Sequence, residues 1–462
     1  MRLLYFNIKM LKKIFNYTNS LYLSDNARTL GIKKNVFYSF ILKGGSVGLS
    51  LITVPITINY INTTQYGIWL TLSTLINWFA FFDIGLGNGL KNKLAESNSL
   101  GEYIKSKIYI STTYAIIAIV STSIFILFLL FNRYINWNLI LNVSTNEKID
   151  LNRDALIIIG CFCAQFVIQL INIILTACHV PSKVNLITLI SQGISLILIF
   201  ILTKVTSGSL TYLIIVLAGI PVLIQLIATI WLFKTEYKQF APSFKQVKFS
   251  YSKELLTLGG MFFIIQMGQL VLYQTDNIVI TQLFGPKEVT TFNIAYKLFS
   301  TILILFTIII NPFWSAFTDA YVQKDIAWIR KIFFKMQKTW LIMVGFALLL
   351  LILSPLIFKL WLNHLVTVPF ILSFSMTLYV IGSCWHMLCC YLLNGINKIR
   401  LQLYMYIICF FINIPISIFL GKAIGITGIV ISNLIIFIGM GIIFYIQCNK
   451  ILNNKAYGIW NK

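Results

Sequence analysis

Charge is what this sequence has least of. Only 11% of its 462 residues are Asp, Glu, Lys or Arg, while 58% are hydrophobic and the mean hydropathy is +0.86. A soluble domain carries about 25% charged residues, so this chain cannot cover a water-facing surface and must be solvated mostly by lipid. Acids are scarcer still: 13 Asp and Glu stand against 36 Lys and Arg, a net charge of +23. In a soluble protein that excess would point to nucleic acid. Histidine occurs three times, and no group of His, Cys and acids has metal-ligand spacing. A Walker-type phosphate loop is missing, which argues against ATP hydrolysis. The eight cysteines form no disulfide framework. Seven of them (Cys161, Cys163, Cys178, Cys384, Cys389, Cys390 and Cys409) lie in apolar runs, and only Cys448 lies near a polar tail. They read as small hydrophobes. No cofactor is implied.

What the sequence has in abundance is long uncharged runs. A transmembrane helix needs about 20 mostly apolar residues, and hydropathy with turn signals gives twelve. They are expected near 36–62, 67–90, 108–131, 155–180, 184–203, 211–233, 256–284, 289–318, 339–358, 369–393, 401–420 and 424–447. Twelve spans place both termini on one side. If that side is the cytoplasm, 27 of the 36 Lys and Arg fall in inside segments, 7 in outside segments, and Lys43 and Lys297 within helices. This is a positive-inside pattern, and it leaves the basic excess facing the anionic inner leaflet rather than nucleic acid. Trp69 and Trp361 fall at outer helix ends, Trp231, Trp314 and Trp340 at inner ends, as headgroup-level tryptophans do. Residues 1–35 lack the apolar core and cleavage site of a signal peptide and read as a basic segment on the inner leaflet. The longest outside segment, 132–154, has 23 residues, too few for a catalytic domain, so no enzyme is expected.

The fold class is therefore an all-α polytopic membrane protein of about twelve transmembrane helices in two six-helix lobes. The expected division is a basic N-terminal segment 1–35, an N-lobe 36–233, a cytoplasmic linker 234–255, a C-lobe 256–447 and a cytoplasmic tail 448–462. Odd-numbered helices run outward in both halves, so the repeats are parallel and related by an axis along the membrane normal.

Four full charges fall inside the spans: Lys43, Asp83, Asp276 and Lys297. Each costs on the order of 3 kcal/mol there and is expected to face the bundle interior or a watery cavity. At about 1.5 Å per residue, Lys43 and Asp83 each lie ~11 Å from the inner ends of helices 1 and 2. Asp276 and Lys297 each lie ~12 Å from the outer ends of helices 7 and 8. Two readings stay open. The pairs are structural salt bridges, or Lys43 and Lys297 attract an anionic substrate while Asp83 and Asp276 balance them or bind a coupling proton or sodium ion. Gln269, Asn293 and Tyr296 add polar atoms near the second pair, as substrate contacts or as interhelical glue. His386, mid-helix, reads as packing more readily than as a proton relay.

Three stretches carry a family likeness. They are residues 66–96 with the run Asp83-Ile84-Gly85-Leu86-Gly87-Asn88-Gly89-Leu90, residues 274–299 (QTDNIVITQLFGPKEVTTFNIAYKLF), and residues 311–331 with Pro312, Trp314 and Asp325. Together they resemble the Wzx-type O-antigen and capsular polysaccharide flippases of the multidrug/oligosaccharidyl-lipid/polysaccharide (MOP) exporter superfamily, whose architecture is MATE-like. The resemblance implies a bacterial inner-membrane transporter working by ion-coupled alternating access. Its substrate would be an undecaprenyl-pyrophosphate-linked oligosaccharide, with Lys43 and Lys297 as candidates for the pyrophosphate or an acidic sugar and polysaccharide polymerase machinery as a partner. A drug or metabolite antiporter of the same superfamily is the alternative; it would favour acids in excess in the cavity, against the two acids and two lysines in the spans. A polysaccharide polymerase or ligase would need a large outer catalytic loop.

Overall fold

In lipid, backbone polar groups have no water to bond, so a chain this apolar can cross only as helices or a closed barrel. The computed structural model describes residues 27–79, 86–143, 149–178, 180–255, 274–311, 313–363 and 365–461, and among them there is no strand. The first half contains α1 (Ala27–Ile61), α2 (Thr63–Phe79), α3 (Leu86–Ser99), α4 (Tyr103–Phe131), α5 (Trp137–Ile140), α6 (Leu151–Ile168), α7 (Leu170–Ala177), α8 (Pro181–Val205), α9 (Leu210–Ile214) and α10 (Ile220–Lys234). The second contains α11 (Asp276–Phe284), α12 (Pro286–Ile310), α13 (Phe313–Val322), α14 (Ile326–Leu362), α15 (Phe370–Gly395), α16 (Arg400–Ile424) and α17 (Ile426–Leu452). Among the described residues, ten stretches are long and apolar enough to span a membrane. The other two expected spans include residues 80–85 and 256–273, outside the described set; their described parts are α2 with α3, and α11.

Helix ends follow local chemistry. Gly285 takes φ +87°, a conformation open to glycine at little cost, and Pro286 follows at the first position of α12, where its missing N–H costs nothing. Asp150, Ser209 and Asp325 accept from the backbone N–H of Arg153, Tyr212 and Trp328 and so cap α6, α9 and α14. A π-turn at Ile215–Gly219 joins α9 to α10 just before Pro221, the kind of adjustment that accommodates a proline in a helix.

Three boundaries differ from the sequence expectation. Helix 8, expected over 289–318, is α12 followed by a separate α13, with Pro312 between them outside the described residues. A proline has no N–H to continue the helical ladder and crowds the turn before it, so the division has a local cause. Helix 9 begins at Ile326 rather than 339 and runs 37 residues, ~55 Å at 1.5 Å per residue. Its first turns carry Arg330, Lys331, Lys335 and Lys338, charges that hydropathy scores as loop. The first helix begins at Ala27, inside the expected segment 1–35, whose residues 1–26 are not described.

The helices form two lobes, α1–α10 and α11–α17. Their tightest packing uses small residues, as membrane helices do. Gly45 lies under Leu189 where α1 crosses α8, and Gly441 faces the Trp385 ring, with only 2.8 Å for a Cβ, where α17 crosses α15. One end of the molecule carries Asn62, residues 132–143, Gly285 and Gly425; it is called the far end below. The other carries residues 235–255 and is called the linker end.

Candidate functional site

Among the described residues, helix packing between the lobes runs through α1 and α2 on one side and α11 and α12 on the other. All of it lies toward the far end. One apolar cluster, which continues through the C-lobe, takes residues from both lobes there, including Ile58, Ile68, Leu72, Ile280, Val289 and Phe292. A second cluster, at the linker end, takes residues only from the N-lobe and the segment up to Leu255. The lobes therefore meet at the far end.

Neutral polar groups run through this seam. Thr290 donates to the Thr63 carbonyl at 2.6 Å, and the Thr71 and Thr281 hydroxyls share a hydrogen at 2.7 Å. Asn277 donates to Thr74 at 2.8 Å and accepts from Asn293 at 2.7 Å. Across the far rim, Asn142 donates to the Thr281 carbonyl at 3.1 Å, and Gln282 donates to the Leu139 and Ile140 carbonyls. Gly67 lies so close to Pro286 that a Cβ would sit 1.7 Å from its carbonyl oxygen.

Trp361 adds a contact that follows from a proline. Pro55, inside α1, has no N–H for the carbonyl of Leu51, four residues back. The Trp361 indole of α14 donates to that carbonyl at 2.7 Å. A freed backbone acceptor in one lobe is satisfied by a side chain of the other.

Asp276 opens α11, where a helix N-terminus favours negative charge. It is 9% exposed and has no ion pair with Lys297 or any other cation among the described residues. Its Oδ2 accepts from Asn433 at 2.7 Å, Asn433 Oδ1 accepts from Asn413 at 2.7 Å, and Asn413 Oδ1 accepts from Thr275 at 3.2 Å. Ser417 and Ser432 bond each other within the same pair of helices, α16 and α17, at 2.6 Å. The other carboxylate oxygen, Oδ1, is buried without a hydrogen-bond partner. One acid, two carboxamides and the Thr275 hydroxyl are thus linked between α11, α16 and α17 with an acceptor left over, an oxygen-rich set suited to a proton or a hard monovalent cation.

Lys297 and Asp276 are not level. Because α12 starts at Pro286 rather than 289, Lys297 lies ~16 Å from its far end, whereas Asp276 lies ~12 Å from the end of α11. Lys297 is half-buried. Residues 290, 293 and 297 follow the i, i+3, i+7 spacing of one helix face. Thr290 bonds α2, and Asn293 bonds the Asn277 that reaches α2. Lys297 is next on that face, just below the seam toward the linker end. Tyr296 stacks on Phe292, ring centroids 6.2 Å apart, and lies 6.3 Å from the Tyr379 ring. Lys43 is exposed on α1; three residues on, Ser46 donates to Gln192 of α8. Asp83 and Gln269 lie outside the described residues. His386 is packed among Tyr406, Phe437 and Phe444 and contacts Cys390 Sγ at 3.4 Å.

The sequence reading did not single out Asn413, Ser417, Ser432, Asn433, Asn277, Thr71, Thr74 or Thr281. The signal was there: Asn413 with Ser417, and Asn277 with Thr281, are polar pairs at i, i+4 in otherwise apolar helices.

Known proteins share this architecture. A family profile described as polysaccharide biosynthesis protein matches residues 32–317. The chain belongs to that family. A Salmonella typhimurium family relative, named as an O-antigen transporter, is 24% identical over 432 residues, covering 87% of this chain and 94% of its own. One from Salmonella typhi with the same name is 22% identical over 299 residues; the match spans 62% of this chain and 65% of that protein. Among solved structures, a multidrug-resistance MATE family transporter of the MOP superfamily in its inward-facing conformation superposes with TM-score 0.71 at 13% identity, over 88% of this chain and 95% of that one. An outward-facing structure of such a transporter gives 0.61 at 14% identity, over 92% and 96%. This member of the polysaccharide biosynthesis family has the MATE fold and is a multi-pass integral membrane protein; the proteins it resembles are transporters rather than enzymes.

Proposed function

We propose that the chain is a flippase of the bacterial inner membrane that moves an undecaprenyl-pyrophosphate-linked oligosaccharide, an O-antigen or capsule repeat unit, from the inner to the outer leaflet. Both termini and the linker end face the cytoplasm, in keeping with the 27-to-7 division of Lys and Arg. The described residues then join the lobes on the outer side. The observation that carries the reading is the position of Lys297, on the interlobe face of α12 just beneath the far-end seam. A pyrophosphate entering the cleft from the cytoplasm reaches that ammonium at the inner side of the closed gate, after passing the exposed Lys43. The sugar follows the pyrophosphate while the prenyl tail stays in lipid.

Asp276 supplies the ion-coupling site. Binding of H+ or Na+ at its unpartnered oxygen neutralises a buried charge one residue from Asn277, which holds the seam. Occupancy therefore bears on closure through a single peptide unit. Lipid-linked repeat units delivered to the outer leaflet feed a polysaccharide polymerase.

The test uses reconstituted vesicles and a lipid-linked oligosaccharide whose outer-leaflet sugars a lectin detects. Lys297→Ala should cut flipping at least tenfold at unchanged protein abundance, with Lys297→Arg retaining part of it. A fall in abundance instead assigns Lys297 to structure. Transport of cationic drugs without flipping assigns the chain to the antiporter class.

A further inference from the structure

The segment between the lobes is folded onto the N-lobe, and where it folds is informative. The Ser243 and Lys248 backbone N–H groups donate to the Ser111 and Thr112 hydroxyls of α4, each at 3.0 Å. Tyr109 donates to Glu254 at 2.8 Å and meets the Tyr251 ring edge-on. Tyr237, Phe240 and Leu255 are buried in the linker-end cluster.

The covered stripe of α4 belongs to its lipid-facing side. Ile108, Ile119 and Leu130 are spaced by eleven residues, three helical turns, and so lie nearly in line. Ile119 is 57% exposed and Leu130 62%, as lipid-facing residues of a peripheral span are, yet Ile108 is only 6% exposed. Residues 235–255 thus form a strap that replaces lipid over the linker-end turns of α4. The outer surface of the strap consequently faces the bilayer margin.

That outer surface is both apolar and basic. Phe244 is 98% exposed and Phe249 55%; Tyr103 of α4, whose ring lies 6.4 Å from that of Phe240, and Ile104 are also exposed. Lys238, Lys245 and Lys248 are exposed and have no ion-pair partner among the described residues, while Glu236 is held by Lys183 and Glu254 by Tyr109. A free aromatic ring flanked by unneutralised lysines at the edge of the hydrocarbon matches an anionic headgroup layer over acyl chains.

We propose that this strap is a lipid-binding anchor: Phe244 inserts at the acyl–headgroup boundary of the linker-side leaflet, and Lys245 and Lys248 bind the phosphates of anionic lipids around it. The anchor rests on the membrane-spanning fold and not on the flippase reading. It fixes the depth of the N-lobe in the leaflet, so that the C-lobe rocks against a seated partner.

The test places a bimane label at Phe244→Cys in the full chain, in nanodiscs of phosphatidylcholine alone or with phosphatidylglycerol; the unsubstituted chain gives the background from native cysteines. The expected result is strong quenching by brominated lipid, weak quenching by aqueous iodide, and a further two- to threefold shift in that ratio with phosphatidylglycerol. Lys245→Gln with Lys248→Gln should abolish the phosphatidylglycerol effect while leaving insertion in phosphatidylcholine. Free access of iodide together with insensitivity to brominated lipid overturns the proposal. So does insertion that is indifferent to anionic lipid, because the lysines then have no role. A label at Thr235→Cys, at the start of the strap, reports whether it stays folded. Neither outcome changes what the flipping assay reads at Lys297.

Discussion

At the far end the lobes are held together by neutral groups: threonine hydroxyls, asparagine and glutamine amides, one indole and freed backbone carbonyls. At the linker end the chemistry is charged. The three ion pairs among the described residues, Lys93–Glu96, Lys105–Glu102 and Lys183–Glu236, all lie there, and each stays within the N-lobe and its strap. A neutral hydrogen bond contributes about 0.5–1.5 kcal/mol net, and breaking one leaves no buried charge. The linker-end ion pairs are partly exposed, and pairs of that kind contribute little net stability. The end that must open between the lobes is thus joined by bonds that can be exchanged singly for water. Ion pairs stay where the structure is not required to part.

This contrast can be broken from the far end. The largest effect should come from fixing the seam. Asn142→Cys with Gln282→Cys, joined by a short thiol cross-linker, should reduce flipping below a tenth, with a reductant-cleavable linker restoring it; each single variant should remain active. Next is Gly67→Ala, whose Cβ meets the Pro286 carbonyl oxygen. Overpacking of this kind costs ~1–3 kcal/mol and falls on the closed state, so labelling of a thiol at Thr281→Cys by an impermeant outside reagent should rise roughly tenfold.

A smaller effect is expected at the proline-freed carbonyl. Pro55→Ala gives Leu51 an intrahelical donor and releases Trp361, which should favour opening by about 1 kcal/mol, or roughly fivefold in the same labelling. Trp361→Phe should act in the same direction. The two together should do little more than either alone, the mark of one shared interaction; additive effects would show that the indole and the proline act separately. The smallest change belongs to Asn293→Ala, about two- to threefold in labelling, since Asn277 keeps its bond to Thr74.

The sequence specified nearly all the described helices because the signal that defines them is composition: a lipid-solvated helix is apolar on every side, and its length is fixed by the bilayer. It was a weaker guide where helices leave the hydrocarbon. Residues 326–338 are helical but basic, so hydropathy placed the start of α14 about three and a half turns late. The same weakness set the relative heights of Asp276 and Lys297. A three-residue difference at Pro286 moved Lys297 about one turn from its expected level, and with it went the expected pairing. The carboxamides that surround Asp276 were legible only as polar residues in apolar helices, since their convergence depends on how α11, α16 and α17 cross. Depth can be read along one helix; neighbours on three cannot.

The docking of residues 235–255 on α4 also decides where the chain can be divided. Gly89 lets the Leu255 backbone rest against α3, where any side chain at that position would collide with its carbonyl. The strap therefore ends bound to the same lobe on which it begins. Two separately expressed halves should reassemble when the break follows residue 255, since each fragment then keeps its own surface. A break before residue 235 would give the strap to the wrong fragment, leaving Ser111 and Thr112 without partners and Ile108 bare.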